Sequence, residues 1–501
     1  MDTKPYWFET AFPRFPTIDH DVDVDVAIIG GGLTGITAAW LLKEAGASVA
    51  LIERQRCASA DTGHTTAHLT YVTDTRLHEV VKAFGKDAAR AFWEAGAVAN
   101  DEIYRIVQEE RIDCEFKWVP GFLHQSLNEP ERDDESLRED AKLAKELGFA
   151  AEFINKVPYA DRPGVKFRHQ AKFHPRKYLA HLAQKIPGNG SYLFENSEAS
   201  EVEENPLSLK VNRFKVRCKY LMIATHTPLM GKTSLVKATL FQSKLALYTS
   251  YVLGARLPGG SLPEALFWDT TDPYYYLRVD RHSDHDYVIF GGEDCKTGQE
   301  DDPATVFKRL EERLRKVLPE ASVQHRWLGQ VVETNDGLPF VGETAENQFV
   351  ATGFCGNGFT LGTLSAMMAC DRFLKRPNPW FELFDVGRKK LHGGAWRYIT
   401  ENLDYPYYML RDRLARAEGD STDAIKFGEG MLVKVDGKKV AAYRDNDGKL
   451  SLLSPVCTHL KCIVKWNAVD KTWDCPCHGS RFKPTGEVFS GPAEEPLEKA
   501  D

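Results

Sequence analysis

Four of the ten cysteines crowd into the stretch from Cys457 to Cys477, interleaved with His459 and His478. They form two short runs, Cys457-Thr458-His459-Leu460-Lys461-Cys462 and Cys475-Pro476-Cys477-His478-Gly479-Ser480. No other feature restricts the chain as much, because thiols and imidazoles this close in sequence are suited to gripping metal. A tetrahedral zinc ion is one occupant to weigh. It needs only four of the six side chains and gives the Pro476 and Gly479-Ser480 context no purpose.

The remaining cysteines (Cys57, Cys114, Cys218, Cys295, Cys355 and Cys370) stand singly, as reduced and mostly buried thiols do. The 501 residues predict about three folding units at ~100–200 residues each. A net charge of -8 speaks against a nucleic-acid partner. No apolar run approaches the ~18 residues of a membrane span. The segment from Met1 to Pro16 is polar and aromatic, without a basic start or an apolar run. It does not read as a secretory signal, and a cytoplasmic location is expected.

Residues 24–53 read as one β-α-β unit. Val24 to Ile29 is an apolar strand, Ile36 to Ala45 a helix stopped by Gly46, and Val49 to Ile52 the next strand. Between them, Gly30-Gly31-Gly32-Leu33-Thr34-Gly35 has the G-x-G-x-x-G spacing in the strand-to-helix context it requires. Gly30 allows the tight turn, Gly32 lets pyrophosphate approach the backbone, and Gly35 lets helix and strand pack closely. The helix start, with Leu33 and Thr34, offers N–H groups and a positive dipole end to phosphate. Glu53, followed by Arg54, ends the second strand, where a carboxylate can take both ribose hydroxyls and disfavours a 2′-phosphate. An ordinary glycine turn is the bland alternative, and the strand, helix and Glu53 together outweigh it.

Further along, 86–112 and 136–147 read as helices, and Leu182 to Thr225 as short strands alternating with turns. Leu245 to Gly292 is strand-rich, with a hairpin whose arms are Tyr274–Val279 and Tyr287–Phe290. Thr305 to Val317 is an amphipathic helix, and Phe349 to Thr352 a strand that runs through glycines into a helix over Leu361–Leu374. Arg376-Pro377-Asn378-Pro379 breaks the chain, and a small β-rich unit opens near Gly419.

Three further segments resemble the FAD-dependent D-amino-acid oxidase and glycine/sarcosine oxidase superfamily. They are Thr62-Gly63-His64-Thr65-Thr66-Ala67-His68-Leu69-Thr70, Ile223-Ala224-Thr225-His226-Thr227-Pro228, and Asp336-Gly337-Leu338-Pro339 with Ala351-Thr352-Gly353-Phe354-Cys355-Gly356-Asn357-Gly358-Phe359-Thr360. The resemblance covers roughly residues 20–375 and implies FAD. It places His64, Thr65 and Thr66 under the flavin and Thr225 near it. It sets the turn from Gly353 to Thr360, with Asp336, at the pyrimidine edge, where helix-start N–H groups stabilise negative charge. Some relatives bind FAD covalently through a cysteine before the Asp-Gly-Leu-Pro-like stretch. Here that stretch is Gln330-Val331-Val332-Glu333-Thr334-Asn335, so that route is closed. Another branch attaches FAD through a histidine near His64, for which a polar loop contact is the preferred reading.

The two C-terminal runs closely resemble the Rieske proteins of respiratory complexes over about residues 420–501. The resemblance implies a [2Fe–2S] cluster, with Cys457 and Cys475 on one iron and His459 and His478 on the other. Neutral imidazoles in place of thiolates raise the potential from about −400 mV to between about −150 and +300 mV. It also implies a Cys462–Cys477 disulfide and a Ser480 hydroxyl directed at the cluster. Phe482 stands where the highest-potential relatives carry a tyrosine, so a potential below the top of that range is expected.

The implied architecture is an α/β (or α+β) Rossmann-type FAD-binding domain with an interleaved mixed-sheet substrate domain and a small all-β Rieske domain. The expected boundaries are 20–80, 150–228 and 326–375 for FAD binding, 81–149 and 229–325 for substrate, 376–418 as linker, and 419–501 for the cluster. Arg278 could clamp a substrate carboxylate, as the amino-acid oxidases use an arginine, but a solvated arginine on an aromatic hairpin is the weightier reading. Tyr276 and His226 are weaker candidates, and no catalytic base is nominated. No second G-x-G-x-x-G follows a strand, since Phe290-Gly291-Gly292-Glu293 lacks the spacing. An organic substrate, a small amine or amino acid, is therefore expected to reduce FAD directly, with the cluster passing electrons singly to an external partner. The alternatives are the reverse current, from a partner through the cluster to the flavin, and a redox sensor without turnover.

Overall fold

The computed structural model describes residues 3–127, 134–228, 244–388, 405 and 407–500. Strand Val22–Ile29 lies between Val49–Ile52 and Phe214–Ile223, parallel to both. Ala27 and Ile28 are fully buried, as a parallel strand covered on both faces requires. Tyr192–Phe194 and Gln348–Thr352 extend this sheet in parallel, and Leu207–Val211 and Phe340–Ala345 add antiparallel strands. The helix Leu33–Glu44 begins three residues sooner than its apolar spacing suggests, because the glycine turn is shorter than it reads. Gly30 sits at φ +111°, and a Cβ there would lie 2.4 Å from Ala224 O. A Cβ on Gly35 would lie 2.0 Å from Gly30 O, so only hydrogen fits between helix and turn.

The second sheet runs in the order Ser322–Thr334, Leu245–Pro258, His285–Lys296, Tyr276–Arg281, Leu266–Asp269, Lys117–His124, Gly164–Lys172, His68–Leu69. The expected hairpin is present, with its first arm shifted two residues along, its second arm longer and a tighter turn, pairing Arg281 with Asp286. Two expected boundaries are corrected. Gly164–Lys172 pairs with Lys117–His124 and Ala151–Ile154, so 151–172 belongs to this sheet rather than to the nucleotide-binding one. Ser322–Thr334 pairs with Leu245–Pro258 along its length, from Ser322 opposite Arg256 to Thr334 opposite Leu245, so the crossing back comes later than 326. Apolar alternation marks a strand but not its sheet. The helix Pro303–Val317 covers one face with Val306, Phe307, Leu310 and Leu314, and the Asp302 carboxylate caps it by accepting from Thr305 N at 3.3 Å. The helix Pro175–Lys185 falls partly where short strands were expected. Its signal was Pro175 at the first turn behind His174, whose ring accepts from Lys177 N.

After the helix Gly358–Phe373 the chain folds back on the body, where Arg388 makes two hydrogen bonds to the Asp336 carboxylate. The aromatic stretch from Ala395 to Tyr398, and residues 229–243 of the expected substrate domain, lie outside the described residues. The C-terminal unit is all-β. A three-stranded sheet (Glu429–Val435, Lys438–Arg444, Leu450–Leu453) meets a four-stranded one (Lys465–Asn467, Thr472–Asp474, Arg481–Phe482, Val488–Ser490). Trp473, Phe482 and Val464 fill its core. Lys465 pairs with Asp301 at 2.6 Å, and Gln299 Nε2 donates to Pro476 O at 3.1 Å, which seats this unit on the body. Among the described residues, no helix is long and apolar enough to cross a membrane.

Candidate functional site: a nucleotide cavity beside a metal centre

The carboxyl ends of the parallel strands open into a cavity of about 970 Å³. The glycine turn from Gly30 to Thr34 forms one end of it. The N-cap of helix Leu33–Glu44 is Gly32, which has no side chain to fill the helix start, and Thr62 Oγ1 accepts from Leu33 N at 3.1 Å, leaving the other first-turn N–H groups for phosphate. The Glu53 carboxylate accepts from Gly31 N and Gln55 N, both at 2.7 Å, and burial pushes its pKa up. Farther in, the wall is Gly353 to Phe359, then Trp268, Tyr274, Tyr276, Asp74 and Asp294. Tyr274 donates to Asp74 Oδ2 at 3.0 Å, and Ser250 donates to Asp294 Oδ1 at 2.5 Å. Burial drives Asp74 up to about 8 and Asp294 up to about 7, and the nearby Glu333 adds to both. Among the described residues, the only cations on the wall are Arg54 and Arg56, near Glu53.

The two C-terminal loops meet beside this cavity. The Cys457 and Cys475 thiols are buried and interact with one another, and Ser480 Oγ accepts from Ala493 N at 3.1 Å. The His459 and His478 rings face each other at right angles with centroids 5.1 Å apart. Burial lowers His459 to about 4 and His478 to about 3, so both rings are neutral and fit to be metal ligands. Cys462 and Cys477 are joined, S–S 2.06 Å, and tie the loops together. Cys475 Sγ lies within 4.8 Å of those two sulfurs, but a bonded pair has no thiolate to offer. The two loops thus offer two thiols and two neutral imidazoles, the donor set of an iron pair with unlike ligands.

Residues 25–372 match the family model for FAD dependent oxidoreductases, and residues 420–501 match that of the Rieske [2Fe-2S] domain. The chain belongs to this FAD-dependent oxidoreductase family and ends in a Rieske domain. A Rieske 2Fe-2S iron-sulfur protein of Bacillus subtilis strain 168, YhfW, is 33% identical over 99% of this chain and 97% of its own. Gamma-glutamylputrescine oxidoreductase of Escherichia coli K12 is 25% identical over 82% of this chain and 99% of its own. In fold, the body resembles the crystal structure of glycine oxidase from Geobacillus kaustophilus, with a TM-score of 0.62 at 17% identity. That likeness covers 74% of this chain and 99% of the other.

FAD and a [2Fe–2S] cluster are accordingly the cofactors of this oxidoreductase. The helix start behind Gly32 and the long cavity suit the first, and the paired thiols and neutral rings suit the second. Of the residues expected around FAD, Gly30, Gly32, Leu33, Thr34, Glu53, Arg54, His64, Thr65, Thr66 and Thr225 line the cavity, with Gly353 and the run from Gly356 to Phe359. Three stand outside its lining. Gly35 packs against Gly30, Thr360 bonds Asn100 at 2.8 Å, and Asp336 holds Arg388.

Arg278 is not available to a substrate, nor is it solvated. It is 2% exposed, and all five donors are engaged, by Thr66 O, Ala67 O, Phe173 O and twice by Asp280. It fixes the loop at Thr66 and Ala67 to Phe173 instead. His226, at φ +61°, lies on the cavity rim with Nε2 3.7 Å from Asp61. Tyr276 lines the cavity and its hydroxyl bonds Ser250 at 2.7 Å. Sequence reasoning missed Asp74, Asp294 and Gln330. Asp294 lies two residues beyond Gly291-Gly292, a glycine pair that lacks the nucleotide spacing. Nothing in sequence pointed to Phe489, Ser490 and Gly491, which bring the Rieske domain into the cavity wall.

Proposed function

We propose that this protein is a dehydrogenase that oxidises the C–N bond of a small amine at FAD and releases the electrons singly through its Rieske cluster. The observation that carries this reading is Gln330. It lines the cavity and also donates to Gly479 O at 3.0 Å, next to the ligand His478. Bound FAD would supply a two-electron acceptor, and the cluster a one-electron outlet. The substrate loses two electrons and two protons to become an imine, which water hydrolyses. An external one-electron acceptor must therefore empty the cluster twice per turnover. The chain's own part is to bind and orient. Asp74, Asp294 and Glu333 with the rings of Tyr274, Tyr276 and Trp268 favour a substrate ammonium group. The engagement of Arg278 weighs against recognition of an α-carboxylate, and so favours amines over amino acids. The likeness to a protein named for gamma-glutamylputrescine supports the same class.

Anaerobic mixing of holoprotein with a series of diamines and amino acids tests it. A diamine should bleach the flavin, and the Rieske resonance should then appear. Flavin that bleaches while the cluster stays oxidised would remove the relay. Bleaching by amino acids alone would remove the substrate class.

A further inference from the structure

We propose that Gln330 is a positioning residue that locks the cluster loop against the wall of the flavin cavity and so sets the rate of electron passage between the two centres. This role rests on the relay reading above and names the residue through which it works. Gln330 belongs to the strand Ser322–Thr334 and is 4% exposed. Its Nε2 donates to Gly479 O at 3.0 Å and to Thr297 Oγ1 at 3.2 Å, and its Oε1 accepts from Ser490 Oγ at 3.1 Å. The orientation of the amide is forced, because a backbone carbonyl only accepts and the NH₂ group must face Gly479. One side chain thus joins the body to the loop Cys475–Ser480 and to the strand Val488–Ser490 that follows it. Its backbone N–H donates to Asp61 Oδ1 at 3.3 Å, which ties the same residue to the turn beneath the cavity.

The approach is close because Gly479 lacks a side chain. It sits at φ +70°, and a Cβ would lie 2.6 Å from Leu247 Cβ and 3.2 Å from Thr297 Cβ. Gly479 is flanked by the expected ligand His478 and by Ser480, whose Oγ accepts from Ala493 N at 3.1 Å. Any displacement of the Gly479 carbonyl therefore moves the histidine edge of the cluster. Electron transfer falls steeply with distance and with breaks in the bonded path. The three neutral hydrogen bonds of the Gln330 side chain hold such a geometry. Other contacts keep the domains together without Gln330, among them Arg54 Nη2 to Phe489 O at 3.0 Å and Lys465 to Asp301 at 2.6 Å.

The test is flash photoreduction of the flavin in holoprotein, with the cluster followed by its circular dichroism and its resonance. Wild-type protein should pass an electron to the cluster. Gln330→Leu should pass it at least tenfold more slowly, with FAD and iron content unchanged. Ser490→Ala, which removes one bond to the same amide, should slow it less. An unchanged rate in Gln330→Leu overturns the role of Gln330 and leaves the relay standing. A wild-type cluster that never accepts the electron overturns the relay and Gln330's role with it. Should Gln330→Leu lose a cofactor, Ser490→Ala decides, and an unslowed rate there counts against the role.

Discussion

The two cofactor sites of this chain are built on opposite plans. The proposed cluster site takes its four expected ligands, its disulfide and Ser480 from the stretch between Cys457 and Ser480. The flavin cavity collects its wall from Ile29 to Pro496, in loops that follow at least six strands. The first is closed by covalent and metal bonds, so it is complete or absent. The second is held by many weak contacts, so it should degrade by steps. Arg278 and Gln330 typify the second plan, each tying three segments together with hydrogen bonds alone.

The sharpest way to break this contrast is at Cys475. Cys475→Ser should abolish the Rieske resonance and leave about one FAD per chain, because no cluster ligand contributes to the cavity wall. Loss of both cofactors together would mean that the body needs the assembled cluster to fold. Arg278→Met should do less, and more gradually. It strips a partner from Asp280, whose carboxylate keeps Lys172 at 2.5 Å, and it leaves Thr66 O and Ala67 O without a donor. Breaking such a buried pair costs about 3–5 kcal/mol. Urea unfolding should show a loss of that order and weaker FAD retention, with the cluster spectrum intact. A substrate preference that switched in this variant would restore Arg278 to substrate recognition.

The same contrast explains what the sequence disclosed. Cys457, His459, Cys475 and His478 are legible because their spacing is their geometry. The turn from Gly30 to Gly35 is legible for the same reason, since its function is local. Asp74 and Asp294 come from different parts of the second sheet's surroundings and meet only after that sheet forms, so no window of sequence holds them both. Arg278 misled because a β-strand position fixes which face a side chain takes, not what lies across from it. Here Phe173 O and the loop at Thr66 and Ala67 lie across from it. The placement of 151–172 failed likewise, because a strand pattern is silent about its partner.

A smaller effect probes the carboxylates of the cavity. Burial raises Asp294 to about 7 and Asp74 to about 8, so each is neutral below that range and anionic above it. Only the anion holds an ammonium strongly. kcat/KM for a diamine should therefore rise as pH increases through 7 to 8, and Asp294→Asn should lose the lower part of that rise. At pH 8 the variant should fall about tenfold, the effect of one weakened charged contact. Because these folded-state values exceed those of an unfolded aspartate, the native state binds the protons more tightly. Stability should thus decline as pH climbs from the ordinary carboxyl range towards about 8. A flat pH profile would detach both acids from substrate binding.

The smallest effect lies inside the closed site. Phe482 is fully buried on the strand Arg481–Phe482, two residues after Ser480. A tyrosine there, as the resemblance to high-potential Rieske proteins suggests, would add a hydroxyl donor beside the cluster. Hydrogen bonds to cluster sulfur stabilise the reduced, more negative state and raise the potential. One such bond at about 1 kcal/mol corresponds to roughly 40 mV for a one-electron couple. Phe482→Tyr should move the cluster upward by that order in a redox titration, and the flavin potential should stay where it was. A matching shift of the flavin would mean that the two sites share one field, and that the separation between a locally built centre and a distributed one does not extend to their electrostatics.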